Sequence, residues 1–185
     1  MVTMYFVRHG QSEANVKGGF FDDSHSPLTE LGFEQARKVG ERLGSLGIKF
    51  DAVYSSPYCR AWMTCRETMD AGNIEVQVSL DASLKERDFS GLYGRVISKE
   101  HYIDLWNYES EQDAEDGIET LRNLEARAVE FLKYIKQAHD GHKILVFSHG
   151  GLGLAVRAAL FGRPENGSLY SWPLLRNGEY MILGF

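Results

Sequence analysis

Two histidines carry the chemistry that this sequence offers. His9 stands in Arg8-His9-Gly10, directly after the apolar run Val2–Val7, and His149 stands in Ser148-His149-Gly150-Gly151, directly after Lys143–Phe147. Both runs read as buried strands. Parallel sheets present the carboxyl ends of their strands along one edge, where ligands bind, so both imidazoles should face one crevice. The glycines after them allow the backbone to approach a ligand closely. Gly150-Gly151 also open a helix, whose free N–H groups attract an anion. One strand-end histidine is often just a polar turn residue. Two at equivalent positions, each followed by glycine, are harder to assign to chance.

The elements that must position them follow from spacing and caps. Thr29 is a helix N-cap with Glu30 in the first turn, and Gly32, Ala36, Val39, Leu43 and Leu46 repeat at helical spacing to Gly47. Phe50–Tyr54 is a second strand. Ser56, as cap, and Pro57, at the first helical position, open a helix to about Met69. Ile74–Val78 is a third strand, and Ser79 to Asp116 shows no sustained period. A long helix is expected from about Gly117 to Ala138, its acidic start (Asp113, Glu115, Asp116, Glu119) and basic end (Lys133, Lys136) matching the helix dipole. Gly150–Phe161 is a short apolar helix. Ser168–Trp172 and Glu179–Leu183 are expected to close the fold as strands around the turn Arg176-Asn177-Gly178. Strands alternating with helices imply an α/β layered fold with a mostly parallel sheet.

The bulk numbers bound the function. The 185 residues suffice for one domain with a full core. A formal net charge of −6 argues against a nucleic-acid partner, which would need a basic face. It leaves room for a small anionic substrate, because a few arginines can dominate a pocket. Cys59 and Cys65, the two cysteines, fall on different faces of a helix and suggest a reducing compartment. Met1 to Val7 has no basic segment of a signal peptide, and no apolar run approaches the ~20 residues of a membrane span. A cytoplasmic protein with no membrane partner is expected. Oligomeric state is not specified, with a homodimer left open.

Other phosphate and nucleotide chemistries find no support. A cysteine-phosphatase loop needs arginine six residues after its cysteine, where Cys59 is followed by Cys65 and Cys65 by Ala71. Gly151-Leu152-Gly153 reaches Val156 instead of the third glycine of a dinucleotide fingerprint, and no Walker sequence is present. His139 and His142 flank a turn without a paired carboxylate or cysteine, so no metal is expected and they read as exposed loop residues.

Arg8-His9-Gly10-Gln11-Ser12-Glu13-Ala14-Asn15 resembles the signature of the histidine phosphatase superfamily, the phosphoglycerate mutase-like proteins. Four further stretches match in family order: Ser26-Pro27-Leu28-Thr29-Glu30-Leu31-Gly32, Ser55 to Thr64 around Arg60, Leu84 to Gly94 around Glu86, and Ser148-His149-Gly150-Gly151. Together they run from Arg8 to Gly151. The resemblance implies a three-layer α/β/α sandwich built as a single domain over 1–185, with a cap-like insertion at about 87–117. It implies a metal-independent, cofactor-free enzyme acting on a small phosphorylated substrate through a phosphohistidine. His9 would be the nucleophile, Glu86 the acid and base, Arg8 and Arg60 the charged donors to the phosphate, and His149 with the backbone at Gly150 further donors to it. Asn15, Arg87, Gly150, Ser12 and Phe21 would contact substrate, Phe21 from the loop Lys17-Gly18-Gly19-Phe20-Phe21.

Elementary chemistry agrees with these roles. A phosphomonoester brings close to two negative charges, and displacement at phosphorus needs that charge neutralised and the leaving oxygen protonated. Arg8 and Arg60 are fork-shaped, always-charged donors. His9 attacks as neutral imidazole, which requires a carbonyl on its other ring N–H. Glu86 needs a carboxyl that is protonated part of the time, so burial or nearby phosphate should raise its pKa. Arg60 opens a helix, where the dipole disfavours a cation, so a site role explains it better than a solvated one.

Within the family, Glu86-Arg87 with Ser90-Gly91-Leu92-Tyr93-Gly94 resembles the mutase form of the acid motif, though Ser90 departs from the usual glycine. Between Val96 and Glu119, however, Lys99 is the one Lys or Arg, against Glu100, Asp104, Glu109, Glu111, Asp113, Glu115, Asp116 and Glu119. That field repels a bisphosphorylated intermediate. The expectation is a phosphomonoester hydrolase acting on a small metabolite or a phosphopeptide. Mutase-type transfer and a catalytically silent regulatory protein are the alternatives. The latter needs a lost catalytic group, and Arg8, His9, Arg60, Glu86 and His149 are all present.

Overall fold

The computed structural model describes residues 1–109 and 117–185. In chain order the elements are β1 (Thr3–Arg8), α1 (Glu13–Lys17), α2 (Glu30–Ser45), β2 (Ala52–Ser55), α3 (Cys59–Gly72), β3 (Val78–Leu80), α4 (Lys99–Asp104), α5 (Leu121–Ala138), β4 (Lys143–Ser148), α6 (Gly150–Phe161) and β5 (Tyr180–Gly184). The sheet order is β3-β2-β4-β1-β5. All neighbours are parallel except β5, which runs antiparallel to β1.

The central strands are apolar on both faces because both are covered. From β1 and β4, Met4, Phe6, Ile144 and Val146 pack with Leu124, Phe131 and Leu132 of α5 and Leu152 and Val156 of α6. The alternate residues Tyr5, Val7, Leu145 and Phe147 pack with Val39 and Leu43 of α2 and Cys65 and Met69 of α3. Period-two alternation thus divides each strand between two cores, which makes the three-layer α/β/α sandwich.

Register places the chemistry. Arg8 of β1 is the partner of Ser148 of β4, so His9 and His149 leave the sheet at one level. The His9 N–H donates to the Ser148 carbonyl at 3.0 Å. Gly10 is required by packing and not by a ligand: a Cβ there would lie 2.4 Å from the Gly32 carbonyl oxygen in the first turn of α2. Thr29 caps α2 as expected, its side chain accepting from the Gly32 N–H at 3.1 Å.

Several boundaries differ from expectation for local reasons. α3 begins at Cys59 after Tyr58, and Ser56 turns its hydroxyl to another partner described below. The third strand is Val78–Leu80, because α3 runs on to Gly72 and ends at Asn73 with φ 49°. Residues 74–77 then cross to the sheet edge, with Ile74 and Val76 packed on the core. Gly117 has φ 70°, which no helix start adopts, and α5 opens at Leu121 behind the Thr120 cap. The expected acids Asp113, Glu115 and Asp116 lie outside the described residues. Ser168–Trp172 forms no strand: Leu169 is fully buried in a short 3₁₀ turn and donates its N–H to the Trp106 carbonyl at 2.8 Å. β5 therefore pairs with β1 and makes no hairpin. His139 is half-buried, with Nε2 2.8 Å from the Tyr54 hydroxyl, and is not an open loop residue.

Between β3 and α5, Leu92, Leu105, Trp106 and Tyr108 join the same core as the sheet. Tyr102 of α4 remains 37% exposed. No helix among the described residues is long and apolar enough to cross a membrane.

Candidate active site

His9 lies at the carboxyl end of β1, 3% exposed. Its Nδ1–H donates to the Gly10 carbonyl at 2.7 Å. Its Nε2 accepts from Arg60 Nε–H at 3.1 Å, which fixes the proton on Nδ1. The one Nε2 lone pair is held by Arg60 in this state, and attack requires that donor to turn from the ring. Burial first, and then Arg60 and Arg8, push His9 well below the usual histidine value, while the Gly10 carbonyl opposes them. The ring is neutral and therefore nucleophilic at ordinary pH.

Four chain segments close around it. Arg60, in the first turn of α3, is buried, and its Nη1 donates to the Asp23 carbonyl at 2.8 Å with the Asp23 carboxylate 3.2 Å away. Arg8, the last residue of β1, donates from Nη1 to the Leu175 carbonyl, and its buried Nε has no protein acceptor among the described residues. Burial lowers Arg8 from its ordinary value, against the opposing charge of Glu86. A cavity of about 210 Å³ joins Arg8, His9, Arg60 and Glu86, with Asn15, Phe21 and Arg87 also on its wall. A larger cleft of about 480 Å³ by Arg42 and Tyr180 lies apart from both histidines.

Glu86 is held by backbone alone. Its carboxylate accepts from the N–H groups of Gly151 and Leu152, both at 3.0 Å, and from the Arg87 N–H at 2.9 Å. The N-terminus of α6 does attract an anion, as its sequence suggests, but the anion is this side chain. Gly151 is glycine for that reason: a Cβ would lie 2.5 Å from Glu86 Oε1 and 2.6 Å from the Trp106 ring. Arg127 secures the same loop, donating to the carbonyls of Ser83 and Lys85, both at 2.7 Å, and of Glu86 at 3.0 Å. It also pairs with the Glu119 carboxylate at 2.7 Å.

His149 is the N-cap residue of α6 and is fully buried. Its ring lies 5.2 Å from that of His9 and 5.3 Å from that of Tyr58. Nε2 shares a hydrogen bond with the Ser56 hydroxyl at 2.8 Å, and Nδ1 has no protein partner among the described residues. Burial, then Arg60 and His9, hold it well below the usual value, so it too is neutral.

The remaining expected residues divide. Asn15 reaches the cavity, although its Oδ1 also accepts from the Ser12 N–H at 3.1 Å and from Asn177 at 3.2 Å. Phe21 lines the wall, with the Lys17 ammonium 3.9 Å from its ring centre. Ser12 is buried as the cap of α1, its hydroxyl accepting from the Asn15 N–H at 3.3 Å, and does not face the cavity. Neither does Gly150, whose Cα packs under Leu174 and Arg8. Arg87 is buried, not solvated. It donates to the carbonyls of Glu119 and Leu105 and lies 5.2 Å from the ring centres of Phe89 and Trp106. Its guanidinium ties the acid loop to the segment before α5.

The sequence profile of the histidine phosphatase superfamily (branch 1) matches residues 4–185. The chain belongs to the histidine phosphatase superfamily. Within that superfamily, a 2,3-bisphosphoglycerate-dependent phosphoglycerate mutase of Brucella anthropi is 34% identical over 169 residues, covering 86% of this chain and 82% of its own. The protein of the same name from Sinorhizobium fredii is 35% identical over 157 residues, 80% of this chain and 74% of its own. Among solved members, Bacillus stearothermophilus YhfR matches with a TM-score of 0.81 at 25% identity, over 98% of this chain and 90% of its own. A mycobacterial glucosyl-3-phosphoglycerate phosphatase, 20% identical with a TM-score of 0.81 over 98% of this chain and 90% of its own, shares the fold.

Four residues of this candidate site escaped the reading of the sequence: Ser56 behind His149, Arg127 and Glu119 behind Glu86, and Asp23 on Arg60. Ser56 stands inside a recognised motif, but its cap-like setting pointed to a helix start. Arg127 and Glu119 lie 8 positions apart across the start of α5, and nothing in their local pattern points to the acid loop.

Proposed function

We propose that this superfamily member hydrolyses phosphomonoesters through a phosphohistidine on His9. The observation that carries the proposal is the state of His9: a neutral ring, its proton locked on Gly10, with Nε2 beside Arg60 in the wall of a cavity shared with Arg8 and Glu86. Arg8 Nε and His149 Nδ1, both buried without protein partners, are the kind of groups that an anion satisfies.

In the first step His9 Nε2 forms a bond to phosphorus as the ester P–O bond breaks. Glu86, which takes up a proton from solvent when the phosphate dianion binds beside it, gives that proton to the departing alcohol oxygen. Arg8 and Arg60 offset the charge on the equatorial oxygens, and the Gly10 carbonyl supports the imidazolium that forms. In the second step Glu86 takes a proton from water, the water oxygen bonds to phosphorus, and the P–N bond breaks. Inorganic phosphate leaves and His9 is neutral again. Residues 87–109, the described part of the expected insertion, are read as belonging to a cap beside this site within a single domain. No metal or cofactor enters either step.

Mutase-type transfer is the second reading, favoured by the names of relatives that are 34–35% identical. The cation inventory favours hydrolysis. Of the arginines on the cavity wall, Arg87 is already committed to two carbonyls. Arg127, in the neighbouring groove, is committed to Glu119 and the acid loop. A second phosphate would find few free positive charges. The test is phosphate release from a panel of esters in the presence of a chelator, with the phosphoenzyme trapped under alkaline conditions. Release and label should both disappear in His9→Ala. Retained turnover in that variant refutes the mechanism, and isomerisation of phosphoglycerate without net release of phosphate moves the assignment to mutase.

A further inference from the structure

Arg60 does not face the cavity with its charge free. Beyond its contact with His9, Nη1 meets both the carbonyl and the carboxylate of Asp23, at 2.8 and 3.2 Å. We infer that Asp23 is a specificity-determining residue, whose carboxylate makes the site select phosphomonoesters with no second anionic group near the phosphate. The inference rests on the phosphate-binding reading of the cavity and adds to it a substrate class.

Asp23 is held in place and does not swing freely. Gly18 and Gly19, at φ 66° and 80°, turn the chain out of α1 in a conformation that favours glycine. Phe20 then packs 5.4 Å from Phe89 and 6.4 Å from Tyr102, and its carbonyl accepts from the Gly94 N–H at 3.0 Å. On the far side the Asp23 carbonyl accepts from the Ser26 N–H at 2.9 Å, and the Ser24 carbonyl from the Cys59 N–H at 2.9 Å. The loop is anchored at both ends, with the Asp23 carboxylate between them on the cavity wall.

A phosphate on Arg8 and Arg60 thus lies beside a resident negative charge. Apart from the phosphate-binding Arg8 and Arg60, the wall adds two further carboxylates, Glu86 and Asp88, against one guanidinium, Arg87. Arg87 keeps its charge but is 3% exposed and aims its donors at the Glu119 and Leu105 carbonyls; the remaining lining is largely aromatic. A substrate body that carries a carboxylate or second phosphate meets repulsion, whereas a neutral, apolar or cationic body does not. Asp22 provides the internal control. It is the same residue type one position away, but its carboxylate accepts from the N–H and hydroxyl of Ser24, and it borders the neighbouring groove.

The experiment is equilibrium binding by calorimetry of two phosphonates of matched size, 3-hydroxypropylphosphonate and 3-phosphonopropanoate, which differ by a carboxylate. Neither can be hydrolysed, so the result is independent of turnover. The native protein should prefer the hydroxyl compound by about tenfold, the size expected for one like charge about 7 Å away at an effective dielectric near 30. Asp23→Asn should narrow that ratio to about threefold or less, and Asp22→Asn should leave it unchanged. Loss of Arg60 positioning alone would weaken both ligands in parallel and keep the ratio, which overturns the inference. Equal binding of both compounds to the native protein overturns it too, while leaving the phosphate site standing. If neither compound binds, the phosphate-site reading falls as well.

Discussion

Two neutral, buried histidines tie the stability of this fold to pH. Burial, and then Arg60, hold both His9 and His149 well below 6.5. In the unfolded chain each returns to about 6.5 and takes up a proton on acidification, which the folded ring resists. The unfolded state then binds more protons than the native state, so stability is full above about pH 6.5 and declines below it, until the lowered folded values are reached. Each histidine removes at most RT ln(1 + 10^(6.5 − pH)), well under about 1 kcal/mol at pH 7 and on the order of 1 kcal/mol at pH 5.5. The pair accounts for a loss on the order of 2 kcal/mol between those conditions, or roughly 4–8 °C in Tm for a chain of this size. The rings are 3% and 0% exposed, so solvent screening takes little from that figure. Urea unfolding at pH 7 and pH 5.5 measures it, with His149→Gln as the comparison. Glutamine can still hydrogen-bond Ser56 but cannot titrate, so on the order of 1 kcal/mol of the loss should vanish, while carboxylate contributions cancel between the two proteins. If native protein and variant lose the same stability on acidification, the buried-neutral account of His149 is wrong.

Three substitutions test the supports of the site. Gly151→Ala pushes a methyl group into Glu86 Oε1 and Trp106. It should lower kcat/KM about 100-fold with an unchanged circular dichroism spectrum, and activity within threefold of native would show that the backbone cradle of Glu86 is dispensable. Ser56→Ala leaves His149 Nε2 buried without its partner. Chemical denaturation should register a loss of about 1–3 kcal/mol. Arg127→Met removes the donor that joins Ser83, Lys85 and Glu86 to Glu119. Amide hydrogen exchange at residues 83–87 should rise at least about tenfold there, with exchange in the β1–β4 ladder unchanged.

What could be read from sequence was whatever depends on neighbours along the chain or on strand register. Thr29 caps its helix through a contact three residues on, so its role is local and visible. His9 and His149 were legible as a pair because each terminates an apolar strand, and parallel register carried them to one level. Contacts between distant segments were hidden. Ser56 looks like a cap until the structure shows His149 behind it, 93 positions away. Asp22 and Asp23 are the same residue type in adjacent positions, and backbone direction after two glycines decides which one meets Arg60. Leu169 lies in a run that alternates like a strand, yet a single buried side chain and one hydrogen bond to Trp106 hold it in a turn.

The N-terminus of α6 shows how a correct local reading can assign the wrong partner. Its exposed N–H groups and dipole do favour an anion, and the sequence alone points to substrate phosphate. The structure fills that place with Glu86, reached across 65 positions from the loop after β3. In the proposed reaction the helix therefore steadies the group that moves the proton, and not the group that is transferred. On that reading, neutralising the phosphate falls to the side chains of Arg8, from the end of β1, and Arg60, from the first turn of α3, with the neutral His149 adding no charge. This explains why Arg60 tolerates a helix start that disfavours its charge, since its Nε–H on His9 and its Nη1 on Asp23 supply contacts that outweigh the dipole. Phosphate affinity and proton transfer thus rest on separate residues. Substitutions at Arg60, which touches both His9 and the phosphate, should raise KM, weaken inhibition by inorganic phosphate and lower kcat together, while Gly151→Ala should act on kcat alone.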